Sequence, residues 1–177
     1  ARVQLSQAGY YRTEGLHWDI ERMQGSPFKY FSYGAAATEV EVDGFTGEYR
    51  IRRVDIVHDV GQSINPSIDR GQIEGGTLQG LGYALLEDVV MRDGRMANAQ
   101  LTNYIIPTAV DAPSIEVALL ERPYAHGPFG AKGVGEMPID SPAPAVINAL
   151  RHAGYDVRAI PATPERVLAA RLPVPDV

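Results

Sequence analysis

Two glycine-rich stretches hold the residues whose types and spacing could do chemistry. The first, HGPFGAKGVGEMP, runs from residue 126 to 138 and is punctuated by Gly127, Gly130, Gly133 and Gly135. Lys132 and Glu136 are its only fully charged residues at neutral pH. A carboxylate set between Val134, Gly135, Met137 and Pro138 would, once desolvated, suit a general base working near neutrality. The structural alternative is that Glu136 caps the helical region after Pro138, or pairs with Lys132 four residues earlier. The stretch is neither a dinucleotide fingerprint, since G-x-G-x-x-G does not occur, nor a P-loop, since Gly133 follows Lys132 where Ser or Thr would be needed.

The second stretch, GQIEGGTLQGLGYALLED, places Gly71, Gly75, Gly76, Gly80 and Gly82 within twelve residues of a predicted helix. Each glycine costs a helix interior ~0.8–1 kcal/mol relative to alanine, so the run carries a handicap of roughly 4–5 kcal/mol. Such a helix must gain from lacking side chains, either by close packing against a neighbour or by letting a cofactor lie on its backbone. Gln72 and Gln79, seven residues apart and so on one face, would offer amide donors and acceptors to such a ligand.

Other chemistries are excluded by what the chain lacks. With no cysteine there is no disulfide, thiolate metal site, iron–sulfur cluster or thiol nucleophile here. His17, His58, His126 and His152 share no short spacing, and Glu39, Glu41 and Asp43 read as the solvent face of a strand, so no protein-held metal is expected. G-x-S-x-G is absent. A net charge of -6 and a pI near 5.2 argue against a sequence-independent grip on nucleic acid. Arg50, Arg52 and Arg53 read as a solvated strand face. No apolar run approaches the ~18 residues of a membrane span, and no basic-then-apolar signal opens the chain, so a cytoplasmic protein without membrane contact is expected. The start on Ala1 rather than Met makes excision from a longer polypeptide plausible.

These stretches need elements to position them. Residues 1–31 are weakly patterned, with a turn at Gly25-Ser26-Pro27. Period-two alternation on both sides of Asp43–Glu48 predicts a hairpin from Tyr33 to Val60 with one buried face. After the loop GQSINP, Ser67 or Asp69 would cap a helix reaching about Glu87. A second hairpin is expected around Asp93-Gly94, from Asp88–Met91 to Met96–Leu101. Ile115–Leu120 reads as a short strand, Pro142–Ala153 as a helix opened by Ser141, Tyr155–Ile160 as a final strand, and Thr163 as the start of a short helix ending near Arg171. Antiparallel hairpins with packed helices make the expected class α+β.

In this order, HDVGQSINPSIDRGQIEGGTLQGLGYALLED, GPFGAKGVGEMPIDSPAPAVINAL and TPERVLAA resemble the C-terminal part of the molybdopterin-binding subunit of the xanthine dehydrogenase and aldehyde oxidoreductase family. The resemblance is strongest over residues 30–171 and treats residues 1–177 as one fragment of that cofactor-binding domain. It implies a molybdenum hydroxylase that adds water-derived oxygen to a heteroaromatic ring or aldehyde carbon. Glu136 matches the family's catalytic glutamate and Gln72 a glutamine that contacts the cofactor. Lys132, Gly133 and Val134 would lie close to the same cofactor, molybdopterin or its dinucleotide form. Because the pterin holds the metal, no residue here need do so. Iron–sulfur and flavin groups are expected on other domains or subunits, and the remainder of the molybdenum subunit and a small-molecule substrate are the implied partners. The isolated chain is expected to be inactive. One departure is Met137, where many relatives place proline directly after the glutamate. The alternative from another class is a non-catalytic scaffold domain whose glycines serve packing alone.

Overall fold

A computed structural model describes residues 3–173. The chain divides into two compact units, Ala1–Phe31 and Ser32–Val177. In the first, β1 (His17–Asp19) pairs antiparallel with β2 (Gln24–Ser26). The Asp19 carboxylate accepts hydrogen bonds from the amides of Glu21 and Arg22, both at 3.1 Å, and so closes the intervening turn. Gly25 and Ser26 therefore lie in a strand, and the turn precedes them.

The second unit is built on a three-stranded sheet. β3 (Gly34–Val42) and β4 (Tyr49–Asp59) form the expected hairpin, with a register shift between Glu39 and Val40. Its turn is held by Asp43, whose side chain accepts from Phe45 N at 2.8 Å and whose carbonyl accepts from Gly47 N at 2.9 Å. β7 (Ser114–Leu120) adds to the other edge of β4 in parallel, with Arg53 opposite Ser114 and Asp59 opposite Leu120. The sequence pattern predicts antiparallel hairpins and assigns the Ile115–Leu120 strand no partner. A parallel partner needs a crossover, and the intervening α1 (Pro66–Leu85) supplies it.

Asn65, not Ser67 or Asp69, caps α1, accepting from Ser67 N at 3.2 Å and Ile68 N at 3.3 Å. Pro66 suits the first helical position because that position has no intrahelical N–H bond to lose, and the cap accordingly precedes it. Asp69 instead accepts a 2.5 Å bond from Ser63 Oγ. The second hairpin shrinks to β5 (Met91–Arg92) and β6 (Arg95–Met96) around Asp93 and Gly94, whose φ angles of 49° and 73° put both in the left-handed region, as in the primed turns whose twist matches the right-handed twist of the flanking strands. Beyond it the Asn98 side chain takes the bonds a longer ladder would have used, from Val90 N at 3.0 Å and to Asp88 O at 2.6 Å.

α2 (Pro142–His152) and α3 (Pro164–Ala169) fall where the prolines placed them; Thr163 Oγ1 accepts from Arg166 N at 3.4 Å at the start of α3. Tyr155–Ile160 is not a strand. Tyr155 makes one isolated bridge to Arg171, and Asp156 N bonds Ala170 O at 2.8 Å. Two apolar clusters hold the unit together. Val54 meets Leu81, Val146, Leu150, Tyr155, Val157, Ala162 and Val167 in one; Ile56, Val60, Ile73 and Val117 form the other, with Val134 packed against it. At about 1.5–3 kcal/mol for each fully buried large aliphatic side chain, these contacts dominate the packing that fixes α1 on the sheet.

Candidate functional site

The parallel pairing of β4 and β7 brings the two glycine-rich stretches together. Both strands end on the same side of the sheet, so the loop entering α1 and the loop holding Glu136 leave side by side, the usual place for a ligand crevice in parallel sheets. Hydrogen bonds then stitch the loops: Val60 N to Leu120 O at 3.0 Å, Lys132 N to Val60 O at 3.0 Å, and Gln62 N to Gly130 O at 2.8 Å. Glu121 Oε1 accepts from Gln62 Nε2 at 3.0 Å and Ser63 N at 2.9 Å. Gly61 must be glycine, because its φ is +68° and a Cβ there would lie 2.5 Å from Gly130 O.

Glu136 is placed by the turn immediately after it. Met137–Ile139 forms a 3-10 turn, with Ile139 N bonded to Glu136 O at 3.1 Å and Pro138 buried. This turn lies against the glycines of α1. A Cβ on Gly76 would come within 3.0 Å of Pro138 Cβ, and one on Gly80 within 2.4 Å of Ile139 O. Gln72 sits one helical turn before Gly76, and a Cβ on Gly135 would be 3.8 Å from its Oε1. The structure thus brings Gln72 beside the backbone that carries Glu136.

The other predicted residues divide. Gly133 and Glu136 are exposed, and Val134 is half-buried. The amides of Val134, Gly135 and Glu136 have no hydrogen-bond partner among the described residues. Lys132 points inward. Its Nζ lies 2.6 Å from Asp59 Oδ2, with side-chain exposures of 9% and 2%. The predicted alternatives for Glu136 are not realised: its side chain makes no capping bond, and Lys132 is engaged elsewhere. Gln79 is exposed, Gly82 packs against Pro107, and Gly71 and Gly75 face open space beside a cleft of about 450 Å3 shared with Leu78, Pro113 and Ile115.

Asp59 is the residue that sequence reasoning passed over. The available signal was a carboxylate at the end of an apolar strand, in VDIVHDVG. Burial pushes its carboxyl up, but the Lys132 ammonium and the Gly61 amide, 2.9 Å from Oδ1, outweigh that and hold it below the usual carboxylate range. Next to it His58 is buried, and neither ring nitrogen has a partner among the described residues. Desolvation holds this imidazole below its ordinary value despite the nearby Asp59 charge, so it is neutral. No group of three or more His, Asp or Glu able to hold a metal occurs among the described residues, and no helix there is long and apolar enough to cross a membrane.

Comparison with known proteins gives the same direction. The family model for a molybdopterin cofactor-binding domain matches residues 1–113. Xanthine dehydrogenase of Oryza sativa is 39% identical over 96% of this chain, and xanthine dehydrogenase/oxidase of Gallus gallus 38% over 93%. The chain spans only 14% and 13% of those relatives. Among solved structures, the aldehyde oxidoreductase of Desulfovibrio desulfuricans superposes with a TM-score of 0.76 at 41% identity, covering 85% of this chain and 16% of that one. The carbon monoxide dehydrogenase of Oligotropha carboxidovorans gives 0.71 at 30% identity, covering 78% and 18%. With both glycine-rich stretches meeting at one edge of the sheet, the chain belongs to the molybdopterin cofactor-binding domain family of molybdenum hydroxylases, alongside xanthine dehydrogenase and aldehyde oxidoreductase.

Proposed function

We propose that this chain supplies the general base and part of the cofactor cradle of a molybdenum hydroxylase, with Glu136 as the base. The observation that carries the reading is the docking of the Met137–Ile139 turn on Gly76 and Gly80, with Gly135, the residue before Glu136, close to the Gln72 side chain. Three successive amides at Val134, Gly135 and Glu136, without partners among the described residues, together with the Gln72 side chain, make a donor set suited to the oxygen- and nitrogen-rich edge of a pterin or its phosphate.

The bound molybdenum pterin would supply the reactive oxygen and the two-electron sink for hydroxylating a heteroaromatic or aldehyde carbon. Glu136 would accept the proton released as that oxygen becomes nucleophilic. Gln72 would orient the cofactor through its amide. Gly133 and Val134 would approach it with backbone, and Lys132 would stand at the edge of the same segment. The remainder of the subunit would complete the site, with iron–sulfur and flavin groups on other domains or subunits carrying electrons away; cytoplasmic residence and a small-molecule substrate belong to the same proposal.

Replacing Glu136 by Gln in the complete enzyme tests it. Turnover should fall by about 10²–10⁴-fold with molybdenum still bound; near-normal turnover would sink the assignment. The scaffold reading draws on the packing that accounts for Gly76, Gly80 and Gly82. Metal analysis of the intact parent polypeptide decides between the two, because a scaffold carries no molybdenum.

A further inference from the structure

We infer that Asp59 and Lys132 form a buried charge clamp that positions Glu136, and that the Lys132 ammonium serves the site through this clamp rather than by touching the cofactor. The inference rests on the reading of Glu136 as the base. Between Lys132 and Glu136 the chain is Gly133-Val134-Gly135, and two glycines in three residues leave such a backbone with wide conformational freedom. A carboxylate carried on it is held in place only if both ends are fixed.

One end is fixed by the turn Met137–Ile139 seated on Gly76 and Gly80. The other is fixed at Lys132, whose amide donates to Val60 O at 3.0 Å and whose ammonium meets Asp59 at 2.6 Å. Asp59 is itself immobilised at the end of β4. Its Oδ1 accepts from Gly61 N, its amide donates to Tyr33 O at 2.9 Å, and its carbonyl accepts from Ser32 Oγ. Val134 then packs on Ile56, Val60, Ile73 and Val117, so the short span is pinned in the middle as well.

The pair's burial points the same way. An ion pair out of water is often no more stabilising than apolar residues of equal volume, so what it adds is a fixed geometry, and truncating one partner is costly. Only 9% of the Lys132 side chain and 2% of that of Asp59 reach solvent, and the neighbouring neutral His58 adds no competing charge. Asp59 and Lys132 are 73 residues apart, so the contact joins the end of β4 to the Glu136 loop directly. Lys132 and Asp59 are accordingly positioning residues.

The test compares Asp59→Asn, Lys132→Met and the double variant in the complete enzyme, reading hydrogen exchange of the bonded Ala131 and Lys132 amides, molybdenum content, and kcat per bound molybdenum with KM. A clamp predicts that each variant speeds exchange of these amides at least tenfold. It also predicts that kcat per molybdenum falls by up to about 10²-fold with KM near wild type, as a misplacement of about 1 Å can cause. The double variant should be no worse than the worse single, since both singles break one contact. It also leaves no uncompensated buried charge, so it serves where a single variant fails to fold. Wild-type exchange and kcat in the double variant would overturn the clamp. So would loss of cofactor on Lys132→Met alone, the mark of a direct ligand. Should Glu136→Gln keep its turnover while exchange still rises in the clamp variants, the clamp stands and the base assignment fails.

Discussion

The two glycine-rich regions use the same residue for opposite ends. In α1, Gly76 and Gly80 have ordinary helical backbone and are valuable because a side chain would collide with Pro138 and Ile139. In the loop 127–135, Gly130 adopts a φ of +84° and a Cβ on Gly127 would lie 2.1 Å from Ala131 O, so there glycine allows the chain to bend back on itself. One region gives up side chains to form a seat; the other gives them up to bend the chain that leads to the turn seated there. Together they place a carboxylate. Glycine abundance in such a protein is therefore a statement about backbone approach, and its functional content depends on which neighbour approaches.

The sharpest way to break this arrangement is to remove an anchor rather than a glycine. Asp59→Asn leaves a buried ammonium without its counter-charge and should destabilise the second unit by about 3–5 kcal/mol, measured by urea unfolding of the parent subunit. Next comes the seat. Gly80→Ala must displace Ile139 backbone; overpacking of this kind costs about 1–3 kcal/mol against ~1 kcal/mol of helix propensity gained, so the net should be destabilising by up to about 2 kcal/mol. Gly75→Ala, one turn away on the open side, should show the opposite sign and stabilise by up to ~1 kcal/mol, because nothing lies within 4 Å of its Cβ. Equal effects from these two substitutions would dissolve the distinction between seat and open face.

A smaller effect concerns acid. His58 is held neutral by burial, so its folded value lies below that of the unfolded chain, which binds the proton more readily. Its contribution to stability is complete above the unfolded value of about 6.5 and is lost as pH falls toward the folded one. Asp59 has the same sign over a lower window, starting from the ordinary carboxylate value near 3.9 in the unfolded chain and fading as pH falls through its depressed folded value. Melting curves from pH 7.5 to 5 should thus lose stability in the wild type and flatten in His58→Leu. An unchanged slope would show that the imidazole is not desolvated.

Local pattern carried much of the fold. The β3–β4 hairpin was readable because alternating Val and Glu residues put one face in the core, and α2 and α3 because prolines stand at their first turns. Gln72 and Glu136 stood out by motif and resemblance. What could not be read is nonlocal. Nothing in Ser114–Leu120 says that it will pair parallel to β4, and nothing in GAKG says that the lysine will reach Asp59. Tyr155–Ile160 is apolar enough for a strand, yet Tyr155 and Val157 are buried against helices and lack a ladder partner beyond the single bridge to Arg171. The division of α1's glycines into packed and open rows likewise depends on a turn more than fifty residues downstream.

As the base, Glu136 moves a proton in the chemical step. Its most direct measurement is the anaerobic single-turnover rate at which substrate reduces the metal centre in the complete enzyme, with Glu136→Gln beside the wild type at matched molybdenum content. A fall of about 10²-fold or more with substrate affinity retained is the predicted result. An unchanged rate would mean that Glu136 takes no proton in that step.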